Sequence, residues 1–154
     1  YPGTCLLEAT NVTEGRGTEA PFLLFGAPWL RTEPLAAAVK ASGLRLEPAV
    51  FVPAPSPAAL EPKHKGETCR GFRVRVEDAS AVRPYAFGLS LLAALRSTQP
   101  QLAWVRDGAW LDTLLGTRRV RRALEEGSAV DAILAADAPG IERFERDRKP
   151  ALLY

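Results

Sequence analysis

Methionine is absent from this 154-residue chain, and histidine and cysteine are scarce: His64, Cys5 and Cys69 are all there are. Three nitrogen or sulfur side chains fall short of the four that a structural zinc site takes, so these residues alone build no such site. The two thiols read as free and buried. A Cys5–Cys69 disulfide stays open as an alternative, because separation along the chain does not fix separation in space. Long apolar runs are also missing. Stretches such as Leu89 to Leu95 fall far short of the roughly 20 residues that a membrane-spanning helix needs, and no membrane span is expected. Charge of one sign is equally scarce. A formal net charge of +2 is too small and too evenly spread to favour nucleic acid or an anionic membrane as a partner. With no initiator methionine and no leader-like pattern before Tyr1-Pro2-Gly3, the chain reads as a fragment or processed product of a longer protein.

What is present is an ordinary globular balance, 47% hydrophobic against 25% charged, at the size of one domain spanning residues 1–154. Thr4 to Glu8 and Phe22 to Phe25 read as short buried strands between turn-forming residues. Thr32 is placed to cap a helix that runs through Leu35 to Ala41 and stops at Gly43. Leu44 to Val52 reads as a strand, and the prolines of "PAPSPAALEPKHKGE" exclude regular structure after it. "CRGFRVRVED" alternates Phe72, Val74 and Val76 with Arg73, Arg75 and Glu77, the period of a half-buried strand. Pro84 opens an apolar helix, Leu102 to Val105 reads as a short strand, and Trp110 to Leu115 reads as a helix ending at Gly116. Thr117 and Ser128 are placed to cap two further helices, the second broken or kinked at Pro139-Gly140. The pattern implies an α/β fold of mixed α+β layers, a small mixed sheet packed with helices.

A short apolar run leads directly into a polar loop within "EATNVTEGRGTE", from Glu8 to Glu19. It lacks the lysine and hydroxyl of a phosphate-binding loop and the spacing of a dinucleotide fingerprint. Gly15 and Gly17 allow sharp turns and close approach, Arg16 offers a fork of donors, and Asn11 both donates and accepts, so a polar ligand would suit the loop. The structural alternative has Asn11 and Thr13 capping local turns while Arg16 pairs with Glu8, Glu14 or Glu19. Glu8 and Glu14 are weak candidates for the paired carboxylates of glycoside chemistry, with acid and base unassigned. Trp29, Trp104, Trp110, Tyr85 and Tyr154 could stack on sugar rings. Trp104 and Trp110 read as core, whereas Trp29 follows a strand, where binding loops commonly sit. Arg118, Arg119, Arg121 and Arg122 form a basic run, but Glu125 and Glu126 follow Arg121 and Arg122 at i,i+4 spacing, so the run reads as a solvated helix face. His64, between lysines in the proline-rich loop, reads as exposed rather than catalytic.

"EATNVTEGRGTEAPFLLFGAPWL" resembles the signature of the NamZ-type exo-β-N-acetylmuramidases, a family formerly described as a domain of unknown function. "LEPAVFVPAPS", "ETCRGFRVRVEDASAVRPYAFGLSLLAALR", "LLGTRRVRRALEEG" and "RKPALLY" resemble successive blocks of that family in the same order, so the resemblance covers nearly the whole chain. Glu8, Thr10, Asn11, Glu14, Gly15, Arg16, Gly17 and Thr18 match its loop. Ala9 stands where glycine is usual, and Arg75 where the strand often has histidine. The resemblance implies the carboxy-terminal, second domain of a two-domain bacterial protein whose larger Rossmann-like amino-terminal domain is absent from this chain. It implies a glycoside hydrolase that releases terminal N-acetylmuramic acid from peptidoglycan in cell-wall recycling, periplasmic or secreted, with its active site between the domains and no nicotinamide or other cofactor. Substrate-binding residues would be Asn11, Glu14, Gly15, Arg16, Gly17, Thr18 and Trp29, with the principal catalytic carboxylate on the absent domain and this chain inactive alone. The alternative from another class is a non-catalytic carbohydrate-binding or protein-interaction module.

Overall fold

The computed structural model describes residues 1–153, so Tyr154 lies outside the described residues. Three strands form the sheet, β1 (Leu24–Ala27), β2 (Leu44–Phe51) and β3 (Cys69–Val76), in the order β1-β3-β2. The α+β layering is as expected, but the sheet is antiparallel throughout rather than mixed. Its central strand β3 follows β2 through the proline-rich loop, which turns the chain back on itself with no helical crossover, and the two strands pair over all eight residues of each.

Phe72 sits opposite Phe25 in the register, with ring centroids 5.7 Å apart, and both are buried. On the alternate positions Arg73 pairs with Glu19 and Arg75 with Glu47, as the period of a half-covered strand requires. Val76, expected in the inward set, ends the strand and is exposed. Gly26 faces Gly71 across the β1–β3 ladder. A Cβ on Gly71 would stand 1.8 Å from the Phe25 carbonyl oxygen, so this crossing needs the bare backbone of glycine.

Among the described residues there are five α-helices: α1 (Thr32–Ala38), which lies against β3, α2 (Pro84–Thr98), α3 (Ala109–Leu115), α4 (Arg119–Glu125) and α5 (Val130–Arg148), with α1 and α5 packed on α2 and α4 joining α3 to α5. Pro84 opens α2 where its missing N–H costs nothing, and Leu89, Leu92 and Leu95 are fully buried. Gly116 closes α3 at φ +65° in the left-handed conformation, as its place in the sequence implies.

Several elements depart from the sequence reading. Thr4–Ala9 is a 3-10 helix, not a strand. It lies so close to α2 that a Cβ on Gly88 would stand 2.6 Å from the Gly3 carbonyl oxygen, and tertiary packing has overridden the apolar run's strand-like appearance. Thr32 does not cap α1. Arg31 holds that position, its N–H donating to Oε1 of the buried Gln99 at 2.9 Å, and the helix ends at Ala38 rather than Ala41. Leu102 to Val105 forms no strand, giving one bridge between Trp104 and Thr10 before a 3-10 turn at Val105–Gly108. Ser128 makes no cap, and α5 continues through Pro139. Pro139 and Ala135, whose carbonyl loses its partner there, are both exposed, so water can satisfy the freed oxygen.

Candidate functional site

The polar loop after the first 3-10 helix is fastened to the free edge of β1. Thr13 and Gly26 exchange both backbone hydrogen bonds, at 2.9 and 3.0 Å, so the loop extends the ladder that β1 makes with β3. Threonines set its turns. Thr10 Oγ1 donates to the Leu7 carbonyl and accepts from Val12 N–H; Thr13 Oγ1 accepts from Gly15 N–H; Thr18 Oγ1 donates to the Gly15 carbonyl at 2.6 Å. Gly15 and Gly17 both have φ +80°. A Cβ on Gly15 would meet the Leu24 carbonyl oxygen at 2.5 Å, and one on Gly17 would meet that of Ala54 at the same distance. Both glycines are fixed by left-handed backbone and close approach together.

Within this frame four charged groups alternate in sign. Lys63 Nζ donates to Glu14 Oε2 at 3.0 Å; Glu14 Oε1 lies 3.7 Å from one Arg16 nitrogen; another Arg16 nitrogen donates to Glu8 Oε1 at 3.0 Å. Glu14 is the most enclosed of the four, its side chain 3% exposed, and Arg16 the most exposed at 42%, with Lys63 and Glu8 between them. Lys63 also donates to the carbonyls of Leu7, Val12 and Glu8, so its ammonium is held by backbone as well as by charge. Burial pulls its pKa below the ordinary lysine value, against the nearby Glu14 carboxylate, which pulls it up.

Phe22 completes the outer end. It has φ +64°, a strained conformation for an aromatic residue, held by its N–H on the Glu14 carbonyl at 2.6 Å and by Thr4 Oγ1 on its own carbonyl at 2.8 Å. Its ring lies 5.2 Å below the Arg16 guanidinium and packs edge-on against Tyr1. Neither Phe22 nor Lys63 was singled out by the sequence reading. Proximity of "KHK" to proline was the available signal for Lys63, and only a tertiary contact gives it meaning.

Asn11 is committed elsewhere. Its amide nitrogen donates to the Gln101 carbonyl and its oxygen accepts from Ala103 N–H, at 2.8 and 2.9 Å. Of the turn-capping pair read from the sequence, Thr13 fits and Asn11 instead ties the loop to residues 101–103. Arg16 pairs with Glu8 and Glu14 while Glu19 goes to Arg73. His64 is half-buried rather than exposed, its Nε2 on the Asn11 carbonyl at 2.7 Å. Trp29 is half-buried in the turn after β1, packed against the core. Gly17 and Thr18 line a groove of about 580 Å³ with Glu19, Arg73, Phe51 and Pro55. A second hollow, of about 490 Å³, lies among α2, α4 and α5 and includes none of the loop residues.

Cys5 and Cys69 are unpaired. Burial pushes the Cys69 thiol up to about 11, and Cys5 is raised by the same cause, so neither is a ready nucleophile at neutral pH. Among the described residues no helix is long and apolar enough to cross a membrane.

The fold has close counterparts. Two crystal structures of DUF1343 family proteins from Bacteroides fragilis NCTC 9343 superpose on the whole chain, one with a TM-score of 0.73 at 27% identity and the other with 0.79 at 17%. The chain covers 39% and 41% of them. Over residues 1–154 the sequence matches the family described as "Exo-beta-N-acetylmuramidase NamZ, C-terminal", and the chain belongs to that family. It is 32% identical over 158 residues to the peptidoglycan beta-N-acetylmuramidase NamZ of Bacillus subtilis (strain 168), spanning all of this chain and 36% of that relative. The chain thus spans little more than a third of the length of the curated relative it matches.

Proposed function

We propose that this chain is the substrate-cleft domain of a peptidoglycan-directed glycoside hydrolase that releases terminal N-acetylmuramic acid, with a larger Rossmann-like amino-terminal domain forming the opposite wall. Arg16 carries the reading. It is a half-exposed cation on a loop held rigid by two positive-φ glycines and three threonine turns, and one hydrogen bond, to Glu8, is the one it makes among the described residues. A guanidinium has five N–H donors, so the fork retains capacity for an incoming carboxylate. Muramic acid differs from other cell-wall sugars in its lactyl carboxylate, which Arg16 would bind in a charge-assisted pair.

The two weak catalytic candidates separate by geometry. Glu14 is enclosed by Lys63 and Arg16 and serves the loop, whereas Glu8, 16% exposed against 3% for Glu14, is the more accessible carboxylate to a bound sugar. The principal catalytic carboxylate belongs to the other wall. Gly15, Gly17 and Thr18 shape the rim, Asn11 braces it, and Trp29 supplies a flanking apolar surface. No cofactor enters this chemistry. A peptidoglycan substrate puts the parent protein in the periplasm or outside the cell.

The test is Arg16→Ala in the full-length enzyme, assayed on a chromogenic muramide. A fall in kcat/KM of about 100-fold with the fold intact is expected, the size of a lost charge-assisted pair. Unchanged turnover would remove Arg16 from the site. Turnover by the full-length protein but not by this chain supports the cleft reading, and sugar binding without turnover in either supports a binding module.

A further inference from the structure

Three residues of the loop joining β2 to β3 make polar contacts with the polar loop. Two are latches on backbone: Ala54 N–H donates to the Gly17 carbonyl at 2.8 Å, and His64 meets the Asn11 carbonyl at 2.7 Å. The third brings a charge into a buried place. Lys63 reaches the inner end of the series, where Glu14 would otherwise face Arg16 alone. We propose that Lys63 is a positioning residue for Arg16, which rests on the reading of Arg16 as the ligand of the substrate carboxylate.

A carboxylate that is 3% exposed must have hydrogen-bonding partners, because removing it from water without them is costly. Glu14 finds one in Lys63, at 3.0 Å, and so leaves Arg16 at 3.7 Å, beyond hydrogen-bond distance. Arg16 can then turn its fork outward to Glu8 and lie over the Phe22 ring. Without the ammonium, Glu14 must draw on the remaining cation. The Arg16 guanidinium closes on Glu14 and leaves the position that the substrate carboxylate needs. Lys63 is well placed to prevent this because its ammonium, besides donating to Glu14, is anchored on backbone carbonyls beside it, those of Leu7 and Val12 at 2.9 and 3.1 Å. Nζ therefore moves with the loop rather than with the solvent. The backbone at His64, at φ +56°, is left-handed, and it lets two consecutive side chains of the connecting loop reach the same neighbour.

The experiment is a double-mutant cycle in the full-length enzyme, with wild type, Arg16→Ala, Lys63→Met and the double variant assayed for kcat and KM on a chromogenic muramide. Lys63→Met is expected to raise KM about tenfold with a smaller change in kcat, and to add nothing further in the Arg16→Ala background, since it acts through Arg16. Lys63→Arg, which keeps the charge, is expected to lie between wild type and Lys63→Met. A residue needed only for folding would lower Tm and leave KM alone, or would multiply its effect with that of Arg16→Ala, and either result overturns the proposal. An inert Arg16→Ala would sink the site reading and this proposal with it. An effective Arg16→Ala beside independent Lys63 effects would sink this proposal alone. Should Lys63→Met fail to fold, the cycle is run with Lys63→Arg, and the same loss of additivity is required.

Discussion

Arg16 and Arg121 each stand between two carboxylates, and the difference between them separates a cation with donors to spare from one whose nitrogens are all engaged. Arg121 engages all three of its nitrogens: Nε and one terminal nitrogen meet the two oxygens of Asp112 at 2.8 and 2.9 Å, and the other terminal nitrogen meets both oxygens of Glu125. Its aliphatic stem is packed so tightly on Gly108 that a Cβ there would stand 2.3 Å from Cδ. The Arg121 hydrogen bonds lower the Asp112 pKa from its ordinary value, and Arg121 is raised by its hydrogen bonds to Asp112 and Glu125. Arg16 makes one good hydrogen bond, is over twice as exposed, and is aimed by a neighbour that relieves it of Glu14. Satisfied charge at α4 fixes helices to each other; partly satisfied charge on the loop keeps donors available.

This contrast can be broken at several points, and the largest effect is expected on activity. Arg16→Ala should lower kcat/KM of the full-length enzyme about 100-fold with little change in Tm, whereas Arg121→Ala should lower Tm by several degrees and leave kcat/KM close to wild type. Next comes the frame. Gly15→Ala places a Cβ 2.5 Å from a carbonyl at φ +80°, and should cost about 1–3 kcal/mol in urea unfolding, with activity falling alongside. Leu89→Ala, fully buried in α2, should cost about 2–5 kcal/mol without altering KM, since it empties core and leaves the loop's own contacts in place.

The smallest effect concerns pH. Asp112 and Glu47 are lowered chiefly by hydrogen bonds from Arg121 and Arg75. A depressed folded pKa contributes stability that is present above the unfolded value, about 4, and is lost as pH falls through the folded value. Unfolding measured by urea should therefore change little between pH 7 and about 5 and weaken below about 4. Arg121→Ala should remove the Asp112 part of that fall.

Elements with strong local signals were legible in the sequence. The alternation of "CRGFRVRV", Pro84 at the start of α2 and Gly116 at the end of α3 all act within one element, and each appears where it was read. The misread segments were decided from a distance. Thr4–Ala9 is a 3-10 helix because Gly3 and Gly88 let it press on α2, and the turn before α1 is held by Gln99, 68 residues away from Arg31. The site divides in the same way. Its loop, with Glu8, Gly15, Arg16 and Gly17, was visible as a motif. The 49 residues between Glu14 and Lys63 concealed the ion pair that sets it, and nothing local announces the left-handed backbone of Phe22.

The central claim is that Arg16, and not merely an intact loop, receives the substrate carboxylate. The most direct measurement compares Arg16→Ala with wild type in the full-length enzyme on two chromogenic substrates, a muramide and the matching glucosaminide that lacks the lactyl carboxylate. The expected result is a large loss on the muramide and a small change on any residual glucosaminide turnover, so that the preference between the two sugars collapses. Equal losses on both, or none on the muramide, would contradict it.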